Sequence, residues 1–191
     1  MEISDRESEW TRLETAMRAC TACDLAQGRT NVVPGRGSRT ARILFVGEGP
    51  GEQEDRQGLP FVGAAGKLLD LALEALMYHP DDYYIANIVK CHPPGNREPT
   101  DEEAATCMPY LRAQFKLLDP KIMVCLGATA AKNIIGKDVK ITSARGRWVE
   151  RKGLLIMPTF HPAALLRDEG KKMQFYLDLK EVKNKLESLD E

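Results

Sequence analysis

The run Ile43-Leu44-Phe45-Val46 passes directly into Gly47-Glu48-Gly49-Pro50-Gly51, and this junction restricts the fold more than any other stretch of the chain. A short run of β-branched and aromatic residues, halted by glycine and proline, reads as a buried parallel strand that stops at a tight loop. Three further apolar runs follow at 83–89, 122–126 and 154–157. Helical patterns lie between and after them, at 67–77, 102–118, 128–135 and 175–186. Strands alternating with helices predict right-handed crossovers and a parallel sheet covered on both faces. An amphipathic helix over 8–20, with Trp10, Leu13 and Met17 on one side, precedes this unit. Thr100-Asp101-Glu102-Glu103 has the signature of a capped helix start. With no repeat, low-complexity tract or linker, the 191 residues are expected to form one domain. Its predicted class is a three-layer α/β/α fold around a four-stranded parallel sheet.

Ligands of open α/β sheets bind at the carboxyl ends of the strands. The loop after the first strand carries one carboxylate, Glu48, among residues with little side chain, so its backbone can approach a ligand closely. It is neither the dinucleotide fingerprint nor a phosphate loop ending in Gly-Lys-Ser/Thr. Net charge is −1, yet charge is unevenly spread. Arg29, Arg36, Arg39 and Arg42 stand in a stretch without an acid, and six basic residues lie between Lys137 and Lys152 against Asp138 and Glu150. Such stretches either track a phosphate backbone or are simply solvated surface. No apolar run approaches the ~20 residues that span a bilayer. The acidic first residues lack the apolar core of a secretory signal. A cytoplasmic protein without a membrane partner is expected.

The chain has five cysteines, and a disulfide framework does not suit that setting. Cys20 and Cys23 form C-x-x-C at the end of the first helix and can point two thiolates at one ion. Cys91 follows a strand and Cys107 lies within a helix. Cys125, inside Ile122-Met123-Val124-Cys125-Leu126, reads as a small buried hydrophobe. Four thiolates suit tetrahedral zinc or an iron–sulfur cluster, and spacing does not choose between them.

Four segments together carry a resemblance: Gly47-Glu48-Gly49-Pro50-Gly51, Pro60-Phe61-Val62-Gly63-Ala64-Ala65-Gly66, Asn87-Ile88-Val89-Lys90-Cys91 and Met157-Pro158-Thr159-Phe160-His161-Pro162-Ala163. From about Cys20 to Leu179 the chain resembles the family 4 uracil-DNA glycosylases, the iron–sulfur type of bacteria and archaea. The resemblance implies a [4Fe-4S] cluster on Cys20, Cys23, Cys91 and Cys107, with Cys125 outside the ligand set. It implies uracil-containing DNA, single- or double-stranded, as partner and a monomer as the working unit. The implied product is free uracil and an abasic site.

Each implied role has a chemical basis. An enzyme acting on a base in DNA extrudes it into a pocket and reads its Watson–Crick edge. Asn87, at the end of the second strand, offers the acceptor and donor that match uracil N3–H and O4. Phe61 would stack on the extruded ring, a contact worth ~1–3 kcal/mol. His161 would donate to uracil O2 as negative charge develops there. The uracil pocket is thus assigned to Gly47, Glu48, Gly49, Phe61, Asn87 and His161, with Glu48 and His161 catalytic. Leu165, four residues after His161, is the expected wedge into the gap left by the base, helped by Leu166 and Arg167. Arg145 and Arg147 are the expected phosphate contacts. Where the best-known uracil-DNA glycosylases have a water-positioning aspartate, this chain has Gly49; either Glu48 orients the water, steadies the sugar cation or braces the loop, or the water is held by backbone and the substrate's phosphates. No lysine stands in a motif for a Schiff base, so a monofunctional enzyme is expected. One alternative is an iron–sulfur protein of the same superfamily that binds uracil-containing DNA tightly or covalently without turnover. The branch that does so uses a histidine in a basic loop, and no histidine lies between Lys137 and Lys152.

Overall fold

The computed structural model describes residues 3–189. In chain order its elements are α1 (Ile3–Arg18), α2 (Leu25–Gly28), β1 (Arg36–Gly37), β2 (Ile43–Gly47), α3 (Glu52–Gln57), α4 (Ala64–Ala75), β3 (Tyr83–Asn87) and α5 (Asp101–Leu118). There follow β4 (Ile122–Leu126), α6 (Ala128–Ile134), α7 (Ile141–Ala144), β5 (Val149–Arg151), β6 (Leu154–Thr159), α8 (Pro162–Arg167) and α9 (Gly170–Ser188). The sheet runs β1-β3-β2-β4-β6-β5. Its inner four strands are mutually parallel, as the alternation of runs predicts.

The sheet has six strands rather than the expected four, because β1 and β5 pair antiparallel at its two edges. They are two and three residues long and largely exposed, so neither produces an apolar run. Short charged edges also protect the sheet from pairing with other chains. Along β2 the side chains alternate between two cores. Leu44 and Val46 join Trp10, Met17 and Leu111 on the face covered by α1 and α5. Ile43 and Phe45 join Leu69, Leu73, Phe175 and Leu179 under α4 and α9. Burial on both faces explains the unbroken apolar runs.

The capped start of α5 forms as predicted. The Glu103 amide donates to Thr100 Oγ1 at 3.1 Å, and the Thr100 amide donates to Glu103 Oε2 at 2.8 Å. Arg97 clamps the same carboxylate with bonds of 2.8 and 2.7 Å. The strand expected over 83–89 stops at Asn87, although the amides of Ile88 and Val89 still donate to Gly47 and Glu48 carbonyls at 2.9 and 3.2 Å. That continuation locks the loops after β2 and β3 together. Gly47 lies opposite Asn87 and Leu126 opposite Thr159, so the loops after the four parallel strands leave the same edge of the sheet, its carboxyl end.

Candidate functional site

At this edge lies a cleft of about 640 Å³, within the range of small-ligand sites. Its walls include Glu48, Gly49, Phe61, Asn87, His161 and Arg167. Gly47 backs the cleft instead of lining it. A Cβ there would lie 2.4 Å from Asn87 Oδ1 and 2.7 Å from Phe61 Cζ, so only glycine lets both side chains close in. At position 49 a Cβ would sit 2.8 Å from Val89 Cγ2, leaving no room for a carboxylate without rearrangement.

Phe61 has a left-handed backbone, φ 54°, which is uncommon for a residue with a bulky side chain. Glu54 pins that turn by accepting from the amides of Val62 and Gly63 at 2.9 and 2.8 Å. Gly66 lies so close beneath it that a Cβ would fall 1.9 Å from the Phe61 carbonyl oxygen. The Phe61 ring is thereby stacked on His161, with centroids 5.6 Å apart and planes 28° from parallel.

His161 caps α8. Its Nδ1 accepts from the Ala163 amide at 3.1 Å, so the proton of the neutral ring resides on Nε2. Burial pushes its pKa down to about 4, opposed by the charge of Glu54. The ring is therefore a neutral donor at physiological pH. Asn87 is 2% exposed, and its Oδ1 has no hydrogen-bond partner among the described residues. A buried acceptor facing a cleft without a partner is a strong pointer to a donor on the ligand.

Glu48 accepts from Thr129 Oγ1 at the start of α6. Burial pushes the Glu48 carboxyl above its ordinary pKa; the Thr129 bond opposes this, and the charge of Glu98 adds to it. Thr129 and Glu54 were not legible as site residues. Thr129 follows the third parallel strand, where the rule for ligand-binding loops would have pointed. Glu54 sits in a short charged helix and carries no sequence signal.

Two expectations about DNA contacts are corrected. Leu165 does not face the cleft: at 2% exposure it belongs to the core under α4 and α9. One step along a helix turns a side chain by about 100°, so Leu166 points outward at 53% exposure, beside the exposed Arg167. Arg145 is bound to the buried Asp178, which also accepts from Thr159 Oγ1 at 2.6 Å. It ties the end of α7 to α9 and is not a free phosphate contact. Arg147, two residues on, is exposed. The arginine stretch at 29–42 is likewise largely engaged, Arg36 with Asp70 and Arg39 with Glu7 and Glu14.

Cys20, Cys23, Cys91 and Cys107 line one small cavity between the end of α1, the start of α2, the loop after β3 and α5. Arg29 Nη1 donates to Cys91 Sγ at 3.3 Å. Burial pushes the Cys91 thiol up, opposed by Arg29, and pushes the Cys107 thiol up, opposed by the charge and amide of Lys90. Two cations beside four thiols suit an anionic centre. Among the described residues no three Cys, His, Asp or Glu side chains gather as a single-ion site. Four thiols around one cavity are the donor set of tetrahedral zinc or of an iron–sulfur cluster. Cys125 is remote, within β4, where burial pushes its thiol up to about 12.

The sequence pattern of the uracil DNA glycosylase superfamily matches residues 34–185. The chain is 46% identical over 171 residues to a type-4 uracil-DNA glycosylase of Thermotoga maritima, covering 88% of this chain and 89% of that protein. It is 42% identical over 181 residues to the type-4 uracil-DNA glycosylase of Sulfurisphaera tokodaii, with 90% and 82% covered. For the corresponding protein of Archaeoglobus fulgidus the identity is 42% over 172 residues, with 86% of each chain covered. With a parallel-sheet cleft closed by Phe61, Asn87 and His161 and identity of this extent, the chain belongs to the type-4 uracil-DNA glycosylases of the uracil-DNA glycosylase superfamily.

Proposed function

We propose that the chain is a monofunctional uracil-DNA glycosylase, hydrolysing the N-glycosidic bond of deoxyuridine in DNA. The observation that carries this reading is the buried Asn87 Oδ1, unpartnered among the described residues, in a cleft also lined by a neutral histidine. Uracil presents N3–H to Asn87 Oδ1 and O4 to Asn87 Nδ2, while Phe61 stacks on the ring. As the bond from C1′ to N1 breaks, its electron pair leaves with uracil and spreads onto O2. His161 Nε2–H stabilises that anion without giving up its proton. Water, oriented by Glu48, attacks the sugar cation at C1′ and loses one proton to solvent; a proton from solvent later neutralises the released uracil. Leu166 and Arg167 are the groups positioned to fill the vacated stack. Incubation with a uracil-containing oligonucleotide followed by alkali should yield strand cleavage at the abasic site. No cleavage with folded protein would overturn the proposal, and a detergent-resistant adduct without turnover would favour the tight-binding alternative.

The four clustered cysteines would hold a [4Fe-4S] group, which when bound supplies a rigid anionic cross-link among α1, the β3 loop and α5. The purified protein should be brown, and Cys20→Ser or Cys107→Ser should bleach and destabilise it, whereas Cys125→Ser should keep the colour. Zinc without iron in anaerobically prepared protein would rule out this cofactor.

Glu48 gives a pH signature. As an ionised carboxylate it acts only above its pKa, which burial has raised, so activity should fall on acidification sooner than for an ordinary glutamate. Thr129→Val removes a bond that favours the charged form, so the acid limb of kcat should move to higher pH. Thr129→Ser should restore it. His161, neutral down to about pH 4, contributes no limb above that value. An acid limb unchanged in Thr129→Val would show that the limb does not report Glu48.

A further inference from the structure

Lys90 is among the largest fully buried side chains of the protein, 2% exposed, and has no role in the chemistry above. A buried ammonium is costly unless it is both hydrogen-bonded and near negative charge. Its Nζ donates to the main-chain carbonyl of Asn87 at 2.7 Å. No carboxylate forms an ion pair with it among the described residues. Lys90 also lines the cysteine cavity, and Cys107 feels both its charge and its amide. Its own carbonyl accepts from the Val33 amide at 2.8 Å, which fixes the Lys90 backbone independently of the side chain. One residue therefore touches the backbone of the base reader at one end and the thiol site at the other.

We propose that Lys90 is a positioning residue that couples the cysteine site to uracil recognition, its ammonium held by the anionic thiolate centre while it fixes the Asn87 peptide. This role rests on Asn87 as base reader and on the four cysteines as an anionic centre. The geometry gives the coupling a direction. Asn87 lies at the last position of β3; beyond it the Ile88 and Val89 amides continue the ladder to β2, and the Asn87 carbonyl accepts from Lys90 Nζ. Lys90 thereby restrains that carbonyl, so the peptide carrying the reader out of β3 is tied to a residue that lines the cysteine cavity. Removing the ammonium should loosen the reader without touching His161, Glu48 or the DNA-facing groups.

The test is Lys90→Met, close in shape and uncharged, with Lys90→Gln beside it to retain a donor without the charge. Free uracil is the probe, because it engages the Asn87 pocket without the DNA backbone. In folded, brown Lys90→Met, the inhibition constant for free uracil should rise about 10- to 100-fold, the effect of losing a hydrogen bond from a charged donor. Affinity for DNA carrying an abasic site should stay within about 2-fold, since phosphate contacts supply most of it. The cluster should become harder to reduce, because a positive charge beside it has gone. Unchanged uracil inhibition in a folded, brown variant would overturn the proposal. So would failure of both variants to fold, which would assign Lys90 to folding alone. Asn87→Ala is the control: if it leaves uracil inhibition intact, the base-reader assignment fails instead. Zinc in place of iron would mark failure of the cofactor reading.

Discussion

Replacing His161 with alanine should slow uracil release about 10²–10³-fold, the usual cost of removing a donor aimed at a developing oxyanion. Affinity for uracil-containing DNA should change far less, because the bond strengthens only as O2 becomes negative. Three features make the donor preorganised. The Ala163 amide fixes the tautomer, the Phe61 ring fixes the plane, and Gly127, where a Cβ would lie 2.8 Å from His161 Cβ, lets the side chain sit close against β4. Burial, which pushes the pKa down to about 4, keeps the ring neutral, so the oxyanion is met by a dipole and not by a proton to be transferred. Single-turnover excision and equilibrium binding separate the two effects. Equal losses in both, or none in either, would remove His161 from leaving-group stabilisation.

The inner sheet and the cleft were legible for the same reason: their signals are local. Unbroken apolar runs follow from burial on both faces, and the glycines at 47 and 49 occupy places where a Cβ would strike Asn87 or Val89. The edge strands were not legible, since two or three exposed residues are held by pairing alone. The DNA-facing groups were misjudged where long-range partners decide. Arg145 reads as a free cation until Asp178, 33 positions away, is folded against it. Leu165 and Leu166 are chemically identical, and only the phase of α8 against α4 assigns one to the core and the other to solvent. Lys90 stands in an apolar stretch between Val89 and Cys91, a pattern that sequence periodicity treats as noise. Its meaning depends on two neighbours, Asn87 and Cys107, on different elements.

Asn87→Asp should produce a steep fall in uracil excision together with a shift of relative preference towards cytosine. The substitution is nearly isosteric, so the close packing of Gly47 and Phe61 around position 87 is kept. What changes is the pattern of donors and acceptors. Asparagine offers an acceptor to N3–H and a donor to O4, whereas cytosine presents an acceptor at N3 and a donor at its exocyclic amine. Each buried mismatch leaves a polar group unpaired, at ~1–3 kcal/mol. The ionised carboxylate of the variant would repel uracil O4 and accept from the cytosine amine. The ratio of cytosine to uracil excision should therefore rise above that of the unaltered protein. Paired oligonucleotides differing in one base measure both effects. Near-normal uracil excision and selectivity would show that Asn87 does not read the base.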